Sequence, residues 1–447
     1  MSRLLLATAA AFSSIVDFGD LESRRRLDSC TDYQYYNPRD TYTASQMVNY
    51  GHYLSRSTFC RSDAYYNDVF TTPIIICSVL TFMLFCFFGG MFGRMFYDSC
   101  KCRPPREDKI EFEKEKTLNS TLFYILCFLV LILDQLVFVG NERVNKAIET
   151  LDDSSGSAQD SAYAMYVGGG KLISYVSELS TAINNTALTC NSTGSAIELM
   201  RSNLSEYSIA AHIYTDAIGP VQDFLGDVDS NVSEYGVFYR QLALYFIWAL
   251  AIVFAGVLVS IKYVQFRYGM KQVMWFGVIV YMFYVVLCLP WTYTTSAMAD
   301  FCMSPSYNAV KSIPTRDSLR SIGAYFSTCT GNCTLTTSFD RAQRSVLSLN
   351  DTALHLLHED CPNNTALQQL RVYLDTVSVT LDEVNSDMNC PHLQDLWFRF
   401  WNNGVCQQLY SGTFFIWGSQ ILTSLFLFVL VVCVSVTYQF YGEPDTP

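Results

Sequence analysis

Between Gln241 and Pro290 the chain holds two apolar runs, LALYFIWALAIVFAGVLVSIKY and QVMWFGVIVYMFYVVLCLP, separated by a short basic link. Each run is about 20 residues long, the length an α-helix needs to cross a ~30 Å hydrocarbon core. The link, 262–271, carries Lys262, Arg267 and Lys271 and no acidic residue. Two crossing helices joined by a basic turn place that turn in the cytosol, because Lys and Arg are retained on that side. The chain before Arg240 and the chain after Trp291 then start on the opposite side, outside the cell or in an equivalent lumen.

Three further runs match this pair. The five stretches 73–93, 118–139, 241–261, 272–289 and 413–438 contain almost no charge and account for a composition that is half apolar, with 31 Phe and 29 Tyr. A soluble core helix rarely stays charge-free for so long. The expected fold is therefore an all-α membrane protein, five transmembrane helices carrying a helical extracellular bundle built from two large loops. Residues 1–16 read as a signal peptide, with Arg3, the apolar stretch 4–16 and the small residues Ala9, Ala10 and Ala11. An extracellular N-terminal segment (17–72), a cytosolic loop (94–117), a first extracellular lobe (140–240), the cytosolic link, a second lobe (290–412) and a cytosolic tail (439–447) complete the order. Localisation follows as the plasma membrane, N-terminus outside and C-terminus in the cytosol.

Charge and sequons agree with this order. The net charge is −12. Residues 141–239 hold 13 acids against four bases and 293–412 hold 11 against seven, whereas 94–117 contain seven Lys or Arg. Acidic lobes exclude nucleic acid as a partner and favour solvation or cation binding. N-x-S/T triplets begin at Asn184, Asn191, Asn203 and Asn231 in the first lobe and at Asn332, Asn350 and Asn363 in the second. An eighth, at Asn119, falls at the start of the second span, where it is unusable.

Local patterns give the helices. Leu367, Leu370, Leu374, Val377, Leu381, Val384 and Met388 alternate three and four apart, a heptad seam, and Val346, Leu349, Ala353 and Leu356 form a shorter one. The two seams are expected to pack together above the membrane. The first lobe reads as helical with breaks at Ser154–Gly156, Gly168–Gly170 and Gly219–Pro220. Gly89 and Gly93 form a G-x-x-x-G that allows close helix approach.

Catalytic chemistry is sparse, and an enzyme is not expected. His355 and His358 form H-x-x-H rather than a metalloprotease motif, and no G-x-S-x-G, P-loop or dinucleotide-binding glycine pattern occurs. Asp134 is the only charged residue well inside a span. It reads either as a cation site or gate, or as a carboxylate near the outer end that sits at the interface or pairs with a neighbouring hydroxyl. No span carries the several polar groups expected of a proton relay. Cys100 and Cys102, just past the first span, resemble palmitoylation sites.

Nine cysteines fall in the segments expected to face outward: Cys30, Cys60, Cys190, Cys302, Cys329, Cys333, Cys361, Cys390 and Cys406. Cys30 and Cys60 are the natural local pair. A bridge between Cys302 and Cys406 would tie the feet of the fourth and fifth spans together. The odd count leaves one thiol over.

The stretch ADFCMSP after the fourth span resembles the DFC-x-x-P element of Tweety proteins, and so does HLQDLWFRFWNNGV between Cys390 and Cys406. The five-span order with two glycosylated lobes is shared by Tweety proteins and prominins. The length resembles Tweety, while the signal-like start and the pair Cys30 and Cys60 resemble prominin. The Tweety resemblance implies Cys302–Cys406, with Cys390 bonded to Cys329 or Cys333. Two bridges among Cys329, Cys333, Cys361 and Cys390 would then leave Cys190 over. It also implies an anion channel or channel subunit, with Arg143 as the nearest candidate for a pore residue, whereas the prominin resemblance implies a lipid- or sterol-binding membrane organiser. A receptor or adhesion protein is the third reading. Because the spans contain no basic residue and the lobes repel anions, the scaffold reading is preferred, with membrane lipid or sterol as partner and a homodimer as the assembly. A dimer formed through acidic lobes would call for a divalent cation such as Ca²⁺ to neutralise paired carboxylates.

Overall fold

The structure, a computed structural model, describes residues 73–90, 109–190, 194–235, 267–313, 317–331 and 333–440, together with 249, 252–254, 256, 257 and 259. The signal-like start, Cys30, Cys60, Cys100, Cys102, Asn191, Asn332, the tail and most of the third apolar run lie outside these, as do the side chains of Asn119 and Asn231. The described residues are almost entirely helical and contain no strand.

The continuously described α-helices are, in order, α1 (Pro73–Gly90), α2 (Lys109–Thr189), α3 (Gly194–Tyr235), α4 (Arg267–Phe301), α5 (Pro305–Ser312), α6 (Asp317–Thr328), α7 (Thr334–His355), α8 (Thr365–Asp387), α9 (Cys390–Phe398) and α10 (Tyr410–Phe440). Short π-helices, Leu356–Asp360 and Arg399–Leu409, follow α7 and α9. Four of these helices are long and apolar enough to cross a membrane: α1, the N-terminal part of α2, α4 and α10.

The organising element is α2. Its 81 residues run unbroken for about 120 Å at ~1.5 Å per residue, through the second apolar run and the whole first half of the lobe. The breaks expected at 154–156 and 168–170 do not occur. Ser154 and Ser157 bond back to the Thr150 and Asp153 carbonyls at 2.6 and 2.8 Å, which a helix tolerates. The glycines serve close packing instead. A Cβ on Gly168 would lie 2.4 Å from Val384 Cγ2 of α8, and one on Gly169 would lie 2.7 Å from Thr215 Oγ1 of α3. Two neighbours pressed against the helix outweigh the weak helix propensity of glycine. Pro220 likewise lies inside α3 rather than ending it.

In the lobe, α3 and α8 lie against α2, and α7 lies chiefly on α3. All seven residues of the heptad seam are buried, as are Val346, Leu349, Ala353 and Leu356. The two seams face different partners: α8 presents its seam mainly to α2 and α7 presents its own mainly to α3, so the helices meet each other only briefly. Tyr207 and Tyr214 fill the centre. Burial pushes the Tyr207 phenol well above its ordinary range, and its hydroxyl donates to the Leu172 carbonyl at 2.8 Å.

Three bridges brace the lobe. Cys302–Cys406 joins the end of α4 to the π-helix before α10, Cys329–Cys390 joins α6 to α9, and Cys190–Cys361 joins the two halves of the lobe. The last corrects the expectation that Cys190 is left over, and among the described cysteines of the lobe Cys333 is the one without a bridge. Cys333 caps α7 with its sulfur 3.6 Å from Thr336 Oγ1, and is buried. Cys329, in the left-handed region at φ 53°, ends α6 beside Cys390. Cys190 meets Cys361 where α2 and the first π-helix both end, alongside an Asn364 Nδ2 to Thr189 Oγ1 bond of 2.9 Å.

Candidate functional site

The apolar end of the molecule is held by a close crossing of α2 and α10. A Cβ on Gly140 would lie 2.8 Å from the Gly412 carbonyl, and a Cβ on Gly412 would lie 2.8 Å from the Gly140 carbonyl. Farther along, Gly404 approaches Leu151, while Val137 clusters with Ile416. The helices are thus antiparallel, each step toward the start of α2 answering a step toward the end of α10. α4 also runs antiparallel to α10, with Trp417 Nε1 donating to Thr292 Oγ1 at 2.8 Å and Gly277 against Val431.

A seam of polar side chains runs through this packing. Asp134, only 1% exposed, accepts a 2.9 Å hydrogen bond from the Tyr284 hydroxyl on Oδ1. The expected pairing with a neighbouring hydroxyl is therefore present. Asp134 lies on the face of α2 that continues through Val137 and Asn141, both buried. The register from Gly140–Gly412 and Val137–Ile416 brings Asp134 level with Gln420 and Thr423 of α10, and Tyr284 reaches the same level from α4. Gln420 and Thr423 are fully buried on the α10 face that also carries Ile416 and Leu427.

Several of these atoms have no hydrogen-bond partner among the described residues: Asp134 Oδ2, both amide atoms of Gln420, and the Thr423 hydroxyl. Thr292, Thr295 and Ser296 extend the buried polar row along α4, and Ser419 and Ser424 extend it along α10. The hydroxyls of Ser419 and Ser424 return to the Ile416 and Gln420 carbonyls of their own helix. These groups are uncharged hydroxyls and amides, which the reading of the spans by charge alone does not weigh. The signal was present in the last run as Thr413, Gln420 and Thr423 on one helical face, on a level with the lone acid of the second run.

Arg143 does not join Asp134. The two lie nine residues apart on α2, about 13 Å along the axis, and the Arg143 guanidinium sits 4.6 Å from the Phe415 ring centroid. At the lobe side, Phe301, Trp397, Phe400 and Trp401 gather around Cys302–Cys406, with the Phe400 and Trp401 rings 4.8 Å apart. Tyr410, fully buried there, has its phenol pushed up by burial and then by Asp300.

Among the sequon residues, Asn184 and Asn363 are exposed. Asn203 is half-buried and donates to Ser348 Oγ at 2.8 Å, and the Asn350 side-chain oxygen is buried. His355 pairs with Glu359 at 3.2 Å on the surface. Among the described residues no three His, Cys, Asp or Glu side chains are grouped to hold a metal ion.

Fold and site together define a helical protein with apolar helices compatible with several membrane crossings, a disulfide-braced lobe and a buried polar seam. No protein-family model and no curated protein matches the chain.

Proposed function

We propose that this protein is a multi-pass scaffold of the plasma membrane that holds lipid or sterol against its helices, with five spans, an extracellular lobe and a cytosolic C-terminus. The observation that carries the reading is the outward face of each apolar helix. Leu122, Ile125, Phe128, Ile132, Leu136 and Val139 form an exposed stripe at helical spacing on α2. Trp275, Ile279, Met282 and Val286 do the same on α4, and Ile75, Val79 and Phe82 on α1. Apolar faces of this extent are stable only against acyl chains, sterol or another subunit. The exposed Asn184 and Asn363 fit an outward lobe, and the local resemblance to Tweety proteins and prominins points the same way. The homodimer belongs to this proposal.

An anion channel of Tweety type is the competing reading. Arg143, its pore candidate, packs on an aromatic ring, and α2 and α10 meet backbone to backbone at Gly140 and Gly412. Purification in mild detergent, size exclusion and mass spectrometry of the retained lipid test the scaffold, alongside a chloride-flux assay on the same sample in liposomes. Retained phospholipid or sterol with no flux above a control is the expected result. Chloride flux altered by substituting Asp134 or Arg143 would replace the scaffold with the channel.

A further inference from the structure

The polar level inside the apolar helices has a defined chemistry. A carboxyl group in a hydrocarbon-spanning bundle needs a compensating cation or a bound proton, because desolvating the bare carboxylate costs several kcal/mol. The runs 118–139, 272–289 and 413–438 that surround Asp134 contain no Lys, Arg or His. The Tyr284 hydroxyl occupies one carboxylate oxygen and leaves Oδ2 with no partner among the described residues. Gln420 and Thr423, both fully buried, bring an amide and a hydroxyl to the same level with no partner of their own there.

We infer that Asp134, Gln420 and Thr423, with Tyr284 behind the carboxylate, form a binding site for a small monovalent cation of the Na⁺ class. The oxygens on offer are a carboxylate, an amide carbonyl and a hydroxyl, the hard donors such ions take. One carboxylate balances one positive charge. Ca²⁺ sites gather six to eight oxygens, usually from more than one carboxylate, and Mg²⁺ retains several waters, so a single acid in a dry interior suits neither. The closed crossing at Gly140 and Gly412 lies toward the lobe from this level, so the ion would be held between helices that are already locked together. Its bonds would tie α2 to α10, with α4 joined through the Tyr284 hydroxyl on Asp134.

The test uses full-length protein in detergent. Thermal unfolding is followed while NaCl replaces choline chloride at constant ionic strength. A saturable rise of a few degrees with Na⁺ is expected, since a ligand bound only to the folded state raises its melting temperature. Binding of radiolabelled Na⁺ should saturate over the same range. Asp134→Asn, which keeps shape and removes the charge, should lose both responses, and Gln420→Leu should weaken Na⁺ binding at least tenfold. Equal melting in NaCl and choline chloride together with no saturable Na⁺ binding would overturn the site. So would an Asp134→Asn protein that keeps the full response. Should either variant fail to fold, the wild-type comparison and the binding isotherm still decide. Stabilisation by acid in place of Na⁺ would assign the carboxyl to a proton and reject the cation. Lipid retention is read separately and does not depend on this outcome.

Discussion

Gly412→Ala should loosen the apolar bundle at its tightest point. The added methyl would lie 2.5 Å from Val144 Cγ2, 2.8 Å from the Gly140 carbonyl oxygen and 2.9 Å from the Val144 amide nitrogen. A valine methyl can turn aside, but the two backbone atoms are held inside α2. The helices must therefore separate by roughly 0.5 Å to restore ordinary contact, which weakens dispersion along their shared face. Overpacking of this kind costs about 2–3 kcal/mol. Gly418→Ala, on the same helix with nothing within 4 Å of its Cβ, is the control. Gly404→Ala should fall between them, because its methyl meets the flexible Leu151 side chain first. Thermal unfolding of the three purified proteins in detergent should rank Gly418→Ala with wild type and Gly412→Ala lowest by several degrees. Indistinguishable curves for Gly412→Ala and Gly418→Ala would refute the close-crossing argument.

Three other outcomes follow from particular residues. Peptide mapping of the glycosylated protein should find glycans on Asn184 and Asn363, and neither on Asn203, whose amide is bonded to Ser348, nor on Asn350, whose side-chain oxygen is buried. Non-reducing mapping should link Cys190 to Cys361 and leave Cys333 alkylated only after unfolding, and Cys361→Ser should cost about 2–4 kcal/mol of lobe stability. Tyr284→Phe removes the hydroxyl that serves Asp134 and should destabilise the protein by about 1–3 kcal/mol, read as a lower melting temperature with unchanged helix content.

Legibility from sequence tracked the range of the interaction. The seam from Leu367 to Met388 was readable because its spacing is a local consequence of helix geometry, and all seven residues are buried. Asp134 stood out as an acid in an apolar run, yet its partner Tyr284 is 150 residues away and nothing local marks it. Gln420 and Thr423 were passed over because uncharged polar residues are tolerated in apolar helices. The face they share with Ile416 becomes meaningful only once the register with α2 is known. Gly168 and Gly169 were misread as a break because propensity speaks for the isolated chain, whereas Val384 and Thr215 press on the helix from elements far along it. Cys190 seemed the odd cysteine because its partner lies 171 residues later, across the apolar hairpin.

That last bridge sets an order of events during synthesis. In the proposed topology, Cys190 reaches the oxidising side well before Cys361, and at roughly 5–20 residues per second the 171 intervening residues take about 10–30 s to make. Cys302, Cys329 and Cys333 all emerge in that interval, and Cys302 must itself wait a further 104 residues for Cys406. A nascent chain that oxidised its thiols in order of appearance would join the wrong ones. Native pairing therefore depends on the C-terminal end of α2 being held ready until the first π-helix arrives, or on an isomerase that reopens early mistakes. A ribosome stalled between the two lobes would expose an unmatched thiol at Cys190, a mark by which unfinished chains can be retained and removed.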